Sequence, residues 1–417
     1  MKTASLKISL LNLLTIFSFA AYAQNSTIDS LRQVLETQKE DSNKVNTLIG
    51  ITKYLMVNKD YENALKYAEN TLLLANKINF RRGSGTAHEY LGWYYTEQHN
   101  YTEALKNYLL SLKIREDISD KVGIAKSEYW IGNTYSSLDN FPLSLKYFYL
   151  ALKEYEILED KKTSATILQF IGATYSDMGN NSEALTNLFA SVKIKEEIKD
   201  TLGIAQSCNS IGTIYSRESK YDKALVQFTK ALIIYQQFGN QSPDWGIPWS
   251  YACIADIYYQ QSESAYDLGD KVKSKNKLDT ALKTFLKVVD AWQKIGRQDG
   301  VASIYLRIGN LMREAHIINS SSEKEKNTLE AKSYFEKALS LSITIQSKMY
   351  IRNSYLDLAF LEEDAGNYKQ AYEYYKMYIM YRDSMQDEEH TRELSDIKTQ
   401  YEVSKKRRRD QITLHRK

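Results

Sequence analysis

Cysteine and proline are almost missing from this chain. Its 417 residues hold two cysteines, Cys208 and Cys253, and three prolines. Two cysteines cannot build a disulfide framework, and by themselves they cannot make a zinc site. Glycine is sparse as well, at 17 residues, so few breakers interrupt the chain. That composition excludes a sandwich, a barrel or a long disordered linker and points to helices. No single sign of charge dominates: 55 lysines and arginines face 52 aspartates and glutamates, a net of +3, too balanced for a nucleic-acid binder along its whole length. Motifs of catalysis are absent too. The five histidines (His88, His99, His316, His390 and His415) show no metal-ligand spacing. No H-E-x-x-H, phosphate loop, G-x-S-x-G or dinucleotide fingerprint occurs. The expectation is therefore no catalytic residue, no metal and no cofactor; a hydrolase with a hidden site finds no motif in its favour. What the chain does have is 43% hydrophobic positions, enough for a sizeable core, and 33 tyrosines.

Long apolar runs are confined to the start. Lys2 and Lys7 precede an apolar stretch from Ile8 to Phe19, and Ala21-Tyr22-Ala23 stands before Gln24. A basic n-region, a short h-region and an A-x-A site read as a secretory signal peptide cleaved after Ala23. The run is shorter than the roughly 20 residues of a spanning helix. No later stretch could cross a bilayer, so a periplasmic or secreted location is expected. The other end is basic: Lys405, Lys406, Arg407, Arg408, Arg409, Arg416 and Lys417 stand against Asp410. Such a run is either a solvated helix end or a weak contact for anionic lipid head groups.

Between these ends the chain repeats itself. Tyr90-Leu91-Gly92-Trp93-Tyr94-Tyr95 returns as Trp130-Ile131-Gly132-Asn133-Thr134-Tyr135, as Phe170 to Tyr175 and as Ser210 to Tyr215, the glycines 40 apart. Nine residues after each tyrosine comes a small residue (Ala104, Ser144, Ala184, Ala224). Four further on comes a bulky one (Tyr108, Phe148, Leu188, Phe228), then three later another small one. A glycine inside a helix costs about 1 kcal/mol relative to alanine, so its recurrence needs a packing reason. Gly92 and Ala104 read as close-approach points of a helical hairpin, with Tyr95 and Tyr108 beside them. A second recurrence, Asp120-Lys121-Val122-Gly123 and Asp200-Thr201-Leu202-Gly203, reads as a glycine C-cap signal between hairpins.

This pattern resembles the tetratricopeptide repeat, a Leu-Gly-x-x-Tyr helix followed by an Ala-x-x-x-Phe-x-x-Ala helix. The family unit is 34 residues; a 40-residue version implies about three extra residues on each helix. The resemblance implies an all-α, right-handed superhelical solenoid of about eight lengthened hairpins. Expected boundaries are a signal peptide over 1–23, an N-terminal helix over 24–43, the solenoid over 44–385, and a charged C-terminal helix over 386–417 that caps it. Leu394, Ile397 and Tyr401 would form the cap's apolar side. Two hairpins carry polar insertions, near 260–280 and 315–330, which read as binding elements or as neutral loop or helix extension. The stretch Gly239 to Trp249 holds two of the prolines and reads as an irregular joint. Cys208 and Cys253 read as small buried hydrophobes.

Members of this family hold extended or helical peptides along first-helix residues that face a concave groove. Carried over by position, those residues are Glu89 and Trp93, Tyr129 and Asn133, Gln169, Asn209, Asp256 and Asn310. Only Asn133 matches the lysine–asparagine clamp for C-terminal carboxylates, which disfavours chaperone-tail binding. The expected partner is a protein or peptide in that groove, not nucleic acid. The whole organisation is also similar to exported repeat ectodomains of Gram-negative sensor proteins, with the kinase, cyclase or DNA-binding output absent from this chain. The implied job is the sensory or regulatory input of a signalling system. The alternative is a structural adaptor for envelope proteins.

Overall fold

The computed structural model describes residues 28–314 and 321–386. The signal-peptide segment, part of the second insertion and the charged, basic C-terminal segment lie outside these residues. Among the described residues there are helices and turns only. The chain divides into two compact units, residues 1–207 and 208–417.

The first unit is metronomic. After α1 (28–37) and α2 (Ser42–Val57) come α3 (Tyr61–Lys77), α4 (Arg81–Glu97), α5 (Tyr101–Asp117), α6 (Lys121–Ser137), α7 (Phe141–Ile157), α8 (Lys161–Asp177), α9 (Asn181–Glu197) and the start of α10 (Thr201–Arg217). From α3 to α10 every helix has the same length, five turns less a residue, and every joint has three positions. One joint serves two helices. At the α5–α6 joint, Ser119 takes a left-handed φ of 55°, and its N–H and that of Asp120 close back on Glu116 O and Arg115 O at 3.0 and 2.9 Å. That is a Schellman C-cap. Asp120 is at the same time the N-cap of α6, its carboxylate accepting from the Gly123 N–H at 3.3 Å. Asp60, Asn100, Asn140, Asp160 and Asp200 repeat this N-cap.

This geometry corrects the reading of Gly123 and Gly203. They do not end helices; they sit in the first turn of α6 and α10, where a Cβ would lie 2.6 Å from Asp120 Oδ2 and closer still to Asp200 Oδ2. The cap acid, not a C-cap, excludes a side chain there.

The close approach inferred for the helical glycines does occur. A Cβ on Gly92 would lie 2.6 Å from the Tyr108 ring, on Gly132 2.8 Å from Phe148, and on Gly172 2.8 Å from Leu188. Tyr108, Phe148 and Leu188 are fully buried as a result. Each of these second helices thus drives a bulky side chain against the backbone of its own first helix. The next first helix then covers it: the Trp130 ring stacks on Tyr108 at 5.9 Å. Hairpin on hairpin, the apolar face left by one is buried by the next.

The second unit loses the beat. After α11 (Tyr221–Phe238), a 3-10 turn at Gly239–Gln241 and an extended stretch at Ser242 form the irregular joint. Then α12 (Gly246–Asp267) and α13 (Lys271–Lys294) have 22 and 24 residues, α14 (Gln298–Glu314) 17, α15 (Ser321–Thr344) 24, and α16 (Lys348–Asp364) 17, followed by α17 (368–386). The first insertion is therefore helix extension, not a loop: both α12 and α13 grow while their joint keeps its three positions. Polar residues such as Lys271 to Lys277 read alike on an exposed helix and in a loop. In α17 Tyr375, the counterpart of buried Tyr108, is 44% exposed. It belongs to the last described helix, and among the described residues no hairpin follows to cover it.

Candidate functional site

Within each unit, first helices touch the next first helix, α2 with α4, α6 with α8 and α14 with α16, so the first-helix surfaces crowd onto one side. The positions carried over from the repeat pattern fall on these helices. What they touch divides them into three kinds.

Glu89, Gln169 and Asn209 turn inward. Glu89 is 4% exposed, its carboxylate held by Arg115 and Lys126 at 2.5 Å each. Arg115 also donates to Gly123 O at 2.8 Å, so one guanidinium joins α4, α5 and α6. Gln169 repeats the arrangement two hairpins on with a neutral acceptor: Lys195 donates to its Oε1 at 2.5 Å and to Ser207 Oγ at 2.9 Å. Ser111 and Ser191, likewise two hairpins apart, donate to Gly85 O and Ala165 O at 2.8 and 2.6 Å. Asn209 is buried and its Oδ1 accepts from Ser250 at 3.4 Å. These are tie points inside and between hairpins.

Tyr129, Trp93 and Asn133 are half-buried. Tyr129 lies edge-on to Trp130 and Phe170 at 5.0 and 5.6 Å, and burial pushes its phenol up to about 12. The Trp93 indole stacks on Tyr90 and donates to Glu97 at 3.1 Å. Asn133 stands one turn beyond Tyr129 on α6. Asn310 donates to Asp357 at 3.2 Å, and burial pushes that carboxyl up to about 6.

Asp256, of the eight, lines a cleft. In the second unit α10, α12, α14 and the start of α16 border a groove of about 710 Å³. It is lined by an ion pair between Arg307 and Asp256, with the guanidinium over the Phe285 ring at 5.3 Å. Burial raises the Asp256 carboxyl while Arg307 draws it down. Beside it Arg297 and Asp299 form a two-pronged pair at 2.8 and 2.6 Å, and Arg297 lies over Trp292. The rim is aromatic: Trp249 is 51% exposed, and Tyr259 and Tyr350 line the same wall. Cys253 is held as a thiol, burial pushing it up to about 12, which leaves no thiolate nucleophile. Among the described residues no group of three or more His, Cys, Asp or Glu side chains could hold a metal ion, and no helix is long and apolar enough to cross a membrane.

The arrangement can hold an extended segment by stacking and by polar contacts. Residues 46–117 match the tetratricopeptide repeat family model. Over those residues the chain carries tetratricopeptide repeat sequence. Comparison by sequence with curated proteins finds no match. Solved repeat folds do match. The apo quorum sensor NprR of B. thuringiensis is 17% identical over 85% of this chain and 92% of its own, with a TM-score of 0.56. Aspartyl phosphate phosphatase F of Bacillus subtilis is 16% identical over 88% and 92%, at 0.52. A Rap protein in complex with Competence and Sporulation Factor is 15% identical over 88% and 94%, at 0.50. At these identities the likeness is one of fold.

Positional transfer missed Trp249, Arg307 and the Arg297–Asp299 pair. Arg307 is one helical turn before Asn310, on the same helix. Trp249 lies in the first turn of α12, at the end of the proline-containing stretch where two of the five tryptophans cluster. That clustering was the available signal.

Proposed function

We propose that this chain is a non-enzymatic scaffold that holds a peptide or protein segment in the groove of its second unit. The observation that carries the reading is one groove lined by both the half-exposed Trp249 indole and the Arg307–Asp256 pair, an apolar anchor and a charged one. Buried aromatic and arginine anchors dominate binding energy at interfaces. The repeat class supports it, as does the Rap structure of the same fold, solved with Competence and Sporulation Factor bound. With the signal-like N-terminus, the reading extends to an exported sensory or regulatory input.

The test is native mass spectrometry of the full chain purified from its own envelope fraction. Trp249→Ala should weaken ligand affinity about thirtyfold, the loss of a ~2 kcal/mol anchor. Trp93→Ala with Asn133→Ala, in the first unit, should leave it intact. A Trp249→Ala protein that keeps its ligand with unchanged affinity would sink the assignment.

A further inference from the structure

A second cleft in the second unit lies beside the turn end of the extended α12–α13 hairpin. Its volume is about 540 Å³, and it is bounded by the start of α11 and the lengthened parts of α12 and α13. Four lysines line it, Lys220, Lys223, Lys273 and Lys277, against one carboxylate, Asp222. Two are positioned by aromatic rings: Lys223 lies over Tyr215 at 5.6 Å and Lys277 over Tyr258 at 5.1 Å. Lys220 pairs with Glu218 at 2.9 Å, and Asp222 accepts from Gln261 at 3.4 Å.

The start of α11 differs from most of its counterparts. Asp60, Asn100, Asp120, Asn140, Asp160, Asp200 and Asp270 each cap a helix by accepting from a first-turn N–H. At α11 that place is taken by Lys220, which supplies no acceptor. Where those seven joints provide an oxygen acceptor, this one provides a cation and opens onto lysines. The cleft also needs the insertion: Lys273 and Lys277 belong to the turns that α13 has beyond its first-unit counterparts.

We propose that this cleft binds a compact, multiply charged anion bearing phosphate. Four lysines line one small volume against the single lining carboxylate Asp222, with Lys220 also paired to Glu218, and the net positive wall suits concentrated negative charge. Tyr221, Ala265 and Leu268 supply the cleft's apolar surface. The site is separate from the groove: Gln261, Ser264 and Ala265 serve this cleft, whereas Gln260 and Glu263 serve the other.

The experiment is titration calorimetry of the full chain with sodium pyrophosphate at physiological salt. Alongside it run co-sedimentation with vesicles of phosphatidylglycerol and phosphatidylcholine, and titration with a hexaglutamate peptide. The comparison protein is Lys220→Gln/Lys223→Gln/Lys273→Gln/Lys277→Gln, checked by circular dichroism. A second control, Lys113→Gln/Lys153→Gln/Lys193→Gln, removes three exposed lysines from the first unit. Pyrophosphate binding that falls at least tenfold in the cleft variant, and not in the control, supports a soluble phosphate ligand. Vesicle binding with the same dependence supports a phospholipid head group as the source. Overturning results are no binding in either arm, equal loss in both lysine variants, or tighter binding of hexaglutamate than of pyrophosphate.

Discussion

The two units solve one packing problem in different ways. In the first, every helix from α3 onward has one length, and the first-helix interior positions are spent on ties such as Glu89–Arg115 and Gln169–Lys195. In the second, α12, α13 and α15 overrun that length. The side chains there border two clefts instead of being absorbed. Regularity gives stacking, since each hairpin meets a neighbour of its own shape; departure from it leaves concave surface with chemistry on it. The comparison implies that first-unit substitutions act on stability and second-unit groove substitutions on binding.

The largest expected effect is at Arg115. Removing it leaves Glu89 in the core with only the half-exposed Lys126 as partner, and breaking a buried pair costs about 3–5 kcal/mol. Arg115→Met should lower the urea midpoint accordingly. Lys195→Met should cost only about 1–2 kcal/mol, because the Gln169 left behind is neutral. Glu89→Gln added to Arg115→Met should recover part of the loss. Equal costs at Arg115 and Lys195 would mean that charge plays no part in the alternation between the two hairpins.

A second effect depends on pH. Glu128 in α6 is buried, one of its carboxyl oxygens lacks a hydrogen-bond partner, and burial, with Glu154 and Glu116 nearby, pushes it up to about 7. The second unit places a buried cysteine, Cys208, at the corresponding position. Because the folded value lies above the unfolded one, Glu128 costs nothing below the unfolded value. Stability is lost progressively as pH rises from the unfolded value to about 7 and the loss is complete above it. Glu128→Gln should therefore match the parent near pH 4 and exceed it by up to about 3 kcal/mol near pH 8. Urea unfolding across that range checks it; a gain independent of pH would show that the carboxyl's charge is not the cause.

How much of this was legible follows from how local each feature is. The Gly92–Tyr108 contact was, because glycine cost inside a helix and a regular period leave few explanations. The inward turn of Glu89 was not: its partner Arg115 sits on the far half of the following helix, and glutamate on a helix ordinarily reads as solvated. Gly123 misled because glycine marks helix ends more often than a first turn crowded by its own cap. The groove was half legible. Asp256 followed from the register, but Trp249 lies just where the register breaks.

The smallest effect concerns the joints, where the units differ again. In the first unit the left-handed residue is Lys59, Asn79, His99, Ser119, Asp139, Glu159 or Lys199, with Gly179 the exception; in the second it includes Gly269, Gly296 and Gly366. A side chain in that region costs about 1–2 kcal/mol, offset in part by the chain entropy that glycine adds to the unfolded state. The net gain from Glu159→Gly should be about 0.5–1 kcal/mol, and Lys199→Gly should behave alike. Nothing lies within 4 Å of a Cβ at Gly269, so Gly269→Ala should cost a similar amount through its φ of 81° alone. Asn79→Gly should gain least, since asparagine tolerates the conformation best. Were Glu159→Gly to destabilise, the joint's stiffness in the unfolded chain, and not strain in the folded one, would be what keeps the first unit in step.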